Sequence, residues 1–329
     1  MKPPSTINIF SVDVEDYFMV SALQGAVDRE KWEAYESRVE RSTRRLLDLL
    51  DASSGNGGPG KPARATFFCL GWVAERYPGL VKEIAARGHE IATHGHDHRT
   101  LHRMAPEDFR SDVRRSKAVL EDLTGKAVLG YRAPSYSITR RSLWALEILA
   151  EEGFVYDSSI FPVHHDTYGI PDAPRFPFGV FKSPHRGVRF APLQWPSPSA
   201  LTPGAPSFPS SRGGNNDFLL LEFPLSTVKL LGQNLAVAGG GYFRILPFRV
   251  TRWAARKTSR QGIPFVFYVH PWEIDPDQPR VAGIPLKSRF RHYHNLHKTF
   301  SRLQRLLRQF AFSSFRDFIG RNRLLPLDE

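Results

Sequence analysis

The chain has 329 residues, of which 41% are hydrophobic, enough to bury the core of one large globular domain or two ordinary ones. Its single cysteine, Cys69, excludes an internal disulfide and a thiolate metal site, so any metal needs His, Asp or Glu ligands and a reducing compartment is expected. The net charge of +12 admits an anionic partner, but much of the excess is spread along predicted helices. No recognised nucleic-acid-binding motif occurs, so no nucleic-acid partner is expected.

The first residues are MKPPSTINIFSVDVED. They lack the continuous apolar stretch of a secretion signal, and an acidic residue, Asp13, occurs among them. No later window approaches the ~20 apolar residues that a membrane-spanning helix needs. We therefore expect a cytoplasmic protein.

Apolar runs typical of strands alternate with helical periodicity over the first half of the chain. INIFSVDV precedes a helical pattern from Trp32 to Leu49, then a Gly/Pro/Ser linker and the run ATFFCLG. GLVKEIAARG leads to HEIATHG, PEDFRSDVRRSKAVLEDLTG to AVLGYRAP, and RRSLWALEILAEEG to FVYDSSIF. This alternation predicts an α/β fold with parallel strands, either a barrel or an open sheet.

The pattern changes between residues 162 and 217, which are rich in Pro and Gly and are predicted to form extended loops. Regular structure resumes with FLLLEFPLS, a helix near 247–261, the run IPFVFYVHP and a C-terminal amphipathic segment. A late strand is therefore available to return to the first core.

Ionisable side chains follow several of the predicted strands. Because loops at the carboxyl edge of parallel strands converge on one face, these side chains share one predicted location. They are Asp13, Glu15 and Asp16; His94, His96 and His98; Arg132; Asp157; and His270.

Each of these features alone has an ordinary structural explanation. Carboxylates after a strand often cap helices, and Arg132 or His270 could serve as hydrogen-bonded structural residues. His94 and His98, four residues apart, can present two neutral imidazoles on one side of a helical turn, which suits zinc and related metals. Their occurrence together, in one order, favours a site.

The segments VDVED, HGHDH, RAPSY, YDSSIF and FYVHPWE, in this order, resemble the five motifs of the polysaccharide deacetylase family of carbohydrate esterases. With GGGYFRILPF and LKSRFRHYHN behind them, they resemble more narrowly the deacetylases of bacterial exopolysaccharide loci linked to exosortase protein sorting. The resemblance implies a distorted (β/α) barrel: one catalytic domain over 1–329, with a loop-rich insertion at 162–217. The C-terminal region 218–329 would return the strand that carries His270 and end in helices.

The activity implied is metal-dependent hydrolytic N-deacetylation of an N-acetylated polysaccharide or lipid-linked oligosaccharide in exopolysaccharide biosynthesis. Two alternatives remain open: an amidohydrolase that uses the same site on a small amide, and an inactive glycan-binding protein. A long groove lined with aromatic side chains would favour the glycan over the small amide.

The resemblance also implies a ligand set for a divalent metal, zinc first and Co²⁺ or another ion second. His94 and His98 would bind it together with Asp16, and Glu15 is the alternative carboxylate because D-V-E-D replaces the usual adjacent aspartates. His96, between the two histidines, would point elsewhere.

The catalytic roles implied fall on four further residues. Asp13 would be the general base, with Arg132 holding it ionised, and His270 would be the general acid that protonates the leaving amine. Asp157 would orient the imidazole of His270.

Substrate contacts are expected from Pro134, Ser135, Tyr136 and Trp272. Ser135 stands where the family commonly has Tyr, and Trp272 is expected to replace an apolar wall missing from the fourth motif. A backbone N–H after Pro134 would help to bind the oxyanion.

The helix from Leu296, with Phe300, Leu303 and Leu307, is predicted to pack against the core. Its Arg-rich other side leaves peripheral contact with the inner membrane open. Arg289 and Arg291 could likewise meet an anionic or lipid-linked glycan, or simply form a solvated surface.

Overall fold

The computed structural model describes residues 6–53, 62–183, 187–193 and 217–326. The predicted linker at 54–61 and the Pro-rich stretch at 194–216 lie outside these residues. The strands are β1 (Asn8–Val14), β2 (Thr66–Cys69), β3 (Glu90–Thr93), β4 (Gly130–Tyr131), β5 (Tyr156–Asp157), β6 (Phe178–Ser183), β7 (Gly187–Pro192), β8 (Phe218–Glu222), β9 (Thr227–Leu230), β10 (Gln233–Ala236), β11 (Val266–Val269) and β12 (Phe312–Ser313). The helices are α1 (Val39–Asp51), α2 (Gly71–Arg76), α3 (Pro78–Ala86), α4 (Pro106–Thr124), α5 (Trp144–Glu151), α6 (Gly240–Ile245), α7 (Phe248–Ser259), α8 (Leu286–Tyr293), α9 (Leu296–Gln309) and α10 (Phe315–Arg321).

Parallel strands form the centre of the fold, in the order β11, β1, β2, β3, β4, β5 and β8. Helices lie in the crossovers from β1 through β5 and from β8 to β11, whereas the connection from β5 to β8 contains the strands β6 and β7. The two ends of the row approach each other, because Ser226, just after β8, donates its N–H to the carbonyl of Val266 in β11 at 3.3 Å, and Ser226 Oγ accepts the Val266 N–H at 2.8 Å. The predicted α/β fold, a distorted (β/α) barrel, is confirmed.

The insertion at 162–217 contains more regular structure than its composition predicted. β6 and β7 form an antiparallel hairpin, and β6 also pairs with β8, with Phe178 opposite Glu222. The prediction of extended loops is therefore wrong for residues 178–183 and 187–192. High Gly and Pro content obscured two short strands, and β6 continues the sheet past β8, whose edge it covers.

Helix α1 begins later than the helical pattern predicted, and Trp32 lies in a 3-10 turn before it. The start is fixed by Asp16, whose Oδ2 accepts the backbone N–H groups of Arg38 at 2.8 Å and Val39 at 3.1 Å. The same oxygen accepts the Ser37 hydroxyl at 2.7 Å. A carboxylate from the end of β1 thus satisfies donors that a helix N-terminus leaves free.

The C-terminal helix α9 buries its apolar side, including Leu296, Leu303 and Leu307, as predicted for a packing helix. The Arg45 guanidinium lies over the ring of Phe300, 4.3 Å from its centroid. This apolar side is therefore not available to a membrane. Among the described residues, none of the helices has the length and apolar character needed to span a bilayer.

Replacing Asp16 by Ala should destabilise the protein, because the change leaves the buried N-terminus of α1 without its acceptor. We expect the free energy of unfolding to fall by about 2 kcal/mol, measured by urea denaturation. Asp28→Ala, which removes an exposed cap of the preceding turn, is the control and should cost less than about 1 kcal/mol. Wild-type stability in Asp16→Ala would contradict the capping role.

Candidate active site

Side chains near the carboxyl ends of four parallel strands line one cavity of about 580 Å³. This volume is in the range of ordinary ligand pockets. The convergence predicted from the strand exits therefore occurs for β1, β3, β4 and β11. The lining includes Asp13, Glu15, His94, His98, Ser135, Tyr136, His270 and Trp272.

Three buried side chains in this cavity form a cluster that could hold a metal ion. One ligand atom from each of Glu15, His94 and His98 lies within 4.8 Å of the others. Two imidazoles and one carboxylate are a set that catalytic zinc sites use, with a further position open for water or substrate. His98 Nε2 already lies 2.7 Å from Glu15 Oε2.

The protonation states of the cluster suit a cation. His94 donates its Nδ1–H to the carbonyl of Arg132 at 2.8 Å, which directs the free lone pair of Nε2 away from that bond. Burial lowers the pKa of His94 to about 4, so the imidazole is neutral at pH 7. Burial alone would raise the pKa of Glu15, but His98 and His270 outweigh it and hold the pKa well below its usual value. His98 Nδ1 is buried without a hydrogen bond from the described residues, and Glu15 Oε2 is in contact with His98 Nε2, another atom of the cluster, so the set fits a metal.

The structure does not bring Asp16 to the histidines, and the prediction of Asp16 as the carboxylate ligand is wrong. Its oxygens are occupied by the N-terminus of α1 and by the Tyr17 N–H at 3.0 Å. Asp13 and Glu15 instead share one face at the end of β1, as the alternation of an extended strand dictates. Glu15, the alternative, is the carboxylate in the cluster.

His96 points away from the cluster, as expected. Its Nδ1 lies 2.6 Å from Asp97 Oδ1 and its Nε2 lies 3.2 Å from Glu75 Oε1. The middle histidine of the motif therefore connects loop and helix, and takes no part in the cluster.

Beneath the cavity, Asp13 and Arg132 form a fully buried ion pair. Arg132 Nη1 donates to Asp13 Oδ1 at 2.6 Å and to Ser11 Oγ at 2.9 Å. Its Nε donates to Ser158 O at 3.0 Å and its Nη2 to Ser158 Oγ at 2.9 Å, and the guanidinium lies 4.1 Å from the Phe68 ring centroid. Because the guanidinium is held by all of these contacts, it is a fixed cationic partner for Asp13. The second carboxylate oxygen, Asp13 Oδ2, faces His270 and lies 3.9 Å from its Nε2.

His270 stands across the cavity and is held from behind by Glu273. Glu273 Oε2 lies 3.1 Å from His270 Nδ1 and accepts the His270 backbone N–H at 3.0 Å, and its Oε1 accepts from Arg244 Nε at 2.6 Å. Burial lowers the pKa of His270, but Glu15, Glu273 and Asp13 outweigh it and raise the pKa to about 9. Against burial, Arg244 and His270 lower the pKa of Glu273 to about 2, so an imidazolium faces the cavity and a carboxylate lies behind it.

Asp157 does not orient His270, so that part of the sequence prediction is wrong. Register places Asp157 opposite Glu222, and both carboxyl groups are fully buried. Burial raises the pKa of both, that of Asp157 to about 6, which lets the pair share a proton. Glu222 also accepts the Ile160 N–H at 2.9 Å.

Glu273 was not among the site residues predicted from the sequence. Its position three residues after His270, across one turn, was a usable signal.

The predicted substrate contacts divide into two groups. Ser135 and Tyr136 line the cavity with positive φ angles of 55° and 54°, strained for residues other than Gly, whereas Pro134 is buried behind them. Trp272 lines it as well, stacked between the rings of His270 and His292 at centroid distances of 5.1 and 4.3 Å. Its Nε1 donates to Glu15 Oε1 at 3.3 Å, so the expected apolar wall also supports the cluster.

Two family models match the chain. Residues 36–153, which include His94, His98 and Arg132, match the polysaccharide deacetylase model. This segment of the chain is therefore similar to polysaccharide deacetylases. Residues 195–320 match a domain of unknown function, DUF3473, so His270 and Glu273 of the same cavity come from a second matched segment.

Known proteins are similar to part of the chain. A peptidoglycan-N-acetylglucosamine deacetylase of Bacillus cereus is 36% identical over 85 residues, 26% of this chain and 31% of that protein. A peptidoglycan deacetylase of Helicobacter pylori is 33% identical over 102 residues, 31% of this chain and 33% of that protein. The matches thus span about a third of the relatives' length. A solved structure from Mycobacterium smegmatis, assigned to the polysaccharide deacetylases, covers 100% of this chain and 96% of its own with a TM-score of 0.57, and at 17% identity it shows the fold alone.

Glu15→Gln should weaken metal binding by the cluster, whereas Asp16→Asn should not. Loss of a residue that only supports a ligand typically costs 10–100-fold in metal affinity, so loss of a ligand should cost at least ~100-fold. Titration of metal-free protein with Co²⁺, followed by its visible absorption, measures both variants. Metal loss in Asp16→Asn with retention in Glu15→Gln would reverse the assignment.

Proposed function

We propose that the protein is a metal-dependent N-deacetylase that hydrolyses the acetamide group of an N-acetylated glycan. The observation that carries this proposal is the convergence, in one cavity, of three groups with different chemistry: the Glu15, His94 and His98 cluster, a carboxylate fixed by Arg132, and an imidazolium held by Glu273. Hydrolysis of an amide needs carbonyl activation, a base and an acid, and the three groups supply one each.

The cluster is proposed to bind Zn²⁺, with Co²⁺ as a working substitute. A divalent ion at this position would supply Lewis acidity toward the acetamide carbonyl and lower the pKa of bound water. Glu15, His94 and His98 would hold it, and Trp272 and the Arg132 carbonyl would hold two of these ligands in orientation.

The protons are moved by the chain's own residues. Asp13, held in place by its ion pair with Arg132, accepts the proton of the attacking water. His270 donates its proton to the sugar nitrogen as the C–N bond breaks, which releases acetate and a free amine. Because the Tyr136 N–H is donated to Ala133 O at 3.0 Å, we assign the Ser135 N–H to the oxyanion.

The lining of the cavity supports a sugar substrate over a small amide. Five aromatic side chains line it, and their faces suit the apolar faces of sugar rings. Relatives named for peptidoglycan and chitooligosaccharide deacetylation act on such glycans. We propose an N-acetylated polysaccharide or lipid-linked oligosaccharide of exopolysaccharide biosynthesis. The aromatic side chains are Tyr136, Tyr168, Tyr242, Tyr268 and Trp272.

Acetate release from N-acetylglucosamine oligomers is the direct test. Zinc-loaded protein should release acetate, and chelation should abolish the release. Zn²⁺ or Co²⁺ should restore it, because a metal in the cluster would both polarise the carbonyl and lower the pKa of the attacking water. Small N-acetyl amides serve as the comparison substrates. Faster turnover of these than of the oligomers would favour the small-amide alternative, and binding of oligomers without any acetate release would favour an inactive glycan-binding protein.

His270→Ala should retain the metal and lower kcat by about 10²–10⁴-fold, the usual contribution of a general acid. Glu273→Gln should lower kcat by roughly tenfold or more, with KM little changed, because Gln still accepts from Arg244 but no longer stabilises the imidazolium. Glu75→Gln, beside His96, is the matched control and should keep its kcat. Metal loss in His270→Ala, or an unchanged kcat in Glu273→Gln, would refute these roles.

A further inference from the structure

The positive charge of the chain is concentrated in one segment. Residues 223–316 contain sixteen Lys or Arg and three Asp or Glu, a net charge of +13 against +12 for the whole chain. The rest of the chain is therefore close to neutral. Cations that this segment exposes would attract anionic surfaces.

The same segment contains all of the exposed large hydrophobic side chains of the described residues. Single exposed apolar residues are ordinary, but here seven lie within one basic segment and none lies elsewhere in the described ranges. They are Leu230, Leu231, Leu235, Ile245, Trp253, Leu286 and Phe290.

Helix α7 combines the two properties on one face. Arg249, Trp253, Arg256 and Arg260 follow one another at spacings of three or four residues, which places them on one side of a helix, and all four are exposed. We call this face, together with the flanking Arg252 and Lys257, the α7 surface. Its residues line a shallow groove of about 510 Å³, and Trp253 is 46% exposed.

The cations of the α7 surface are free for a partner. No Asp or Glu occurs between residues 223 and 272, and among the ion pairs of the described residues none uses a cation of this surface. Lys257 Nζ lies 5.1 Å from the Trp253 ring centroid, so the cationic and aromatic side chains are adjacent on the same surface. The opposite side of the helix, with Ala254 and Ala255, is buried and fixes the orientation.

We propose that the α7 surface binds the headgroups of anionic phospholipids at a membrane surface. Basic side chains gain attraction from such lipids, and Trp is the side chain most typical of the membrane–water interface. A soluble polyanion would bind through the cations alone and would not require an exposed Trp. The half-exposed Trp253 among them favours a bilayer, which offers phosphates and an apolar layer at the same place.

Vesicle sedimentation with the full chain tests this inference. Wild-type protein should sediment with phosphatidylcholine vesicles that contain phosphatidylglycerol, and not with pure phosphatidylcholine. The triple variant R249E/R256E/R260E should reduce the partition coefficient at least tenfold, and Trp253→Ser severalfold. K82E/K126E/R141E makes the same change in net charge at exposed positions outside the segment and should bind as wild type does.

Three results would overturn the inference. The first is no binding to phosphatidylglycerol vesicles, and the second is an equal loss in both triple variants, which would reduce the effect to net charge. The third is full vesicle binding by Trp253→Ser together with tight binding of dextran sulfate by the wild type, which would identify a site for soluble polyanions. Circular dichroism of each variant controls for folding.

Discussion

The buried ion pair between Arg132 and Asp13 is the constraint on which the site depends. A guanidinium withdrawn from water costs several kcal/mol, and this is offset only when its other donors are also satisfied, as Ser11 and Ser158 do here. Removing either charge would leave the other uncompensated, at about 3–5 kcal/mol. The Arg132 carbonyl also holds His94, so one residue fixes the proposed base by its side chain and a metal ligand by its backbone.

The location of the site follows from the sequence with few assumptions. Strands buried on both faces appear as continuous apolar runs, and the first ionisable residue after such a run marks its exit. Asp13, His94, Arg132 and His270 were predicted in this way, and all four lie at one edge of the barrel. The alternation of side chains along β1 places Glu15 on the same face as Asp13, and Glu15 is the carboxylate found in the cluster.

The partners of these residues could not be predicted, because they come from distant parts of the chain. Asp16 caps a helix that begins more than twenty residues later, and Asp157 meets Glu222 only through the register of β5 and β8. Arg244, which donates to Glu273, precedes it in the chain by 29 residues, with helix α7 between them. From the sequence alone, each carboxylate could bind a metal, act as a base or cap a helix. Contacts between distant parts of the chain determine which of these roles it has.

The position of β1 between β2 and β11 has a consequence for synthesis of the chain. Ile9 pairs with Val266, and β12, which pairs with the start of β1, comes later still. At ~5–20 residues per second, the ribosome needs roughly 10–50 s to deliver β11 after β1 has emerged. During that interval β1, a nascent apolar strand, has one edge open to wrong partners. Although β1 is synthesised well before β11, its pairing is among the last of these strands to be completed.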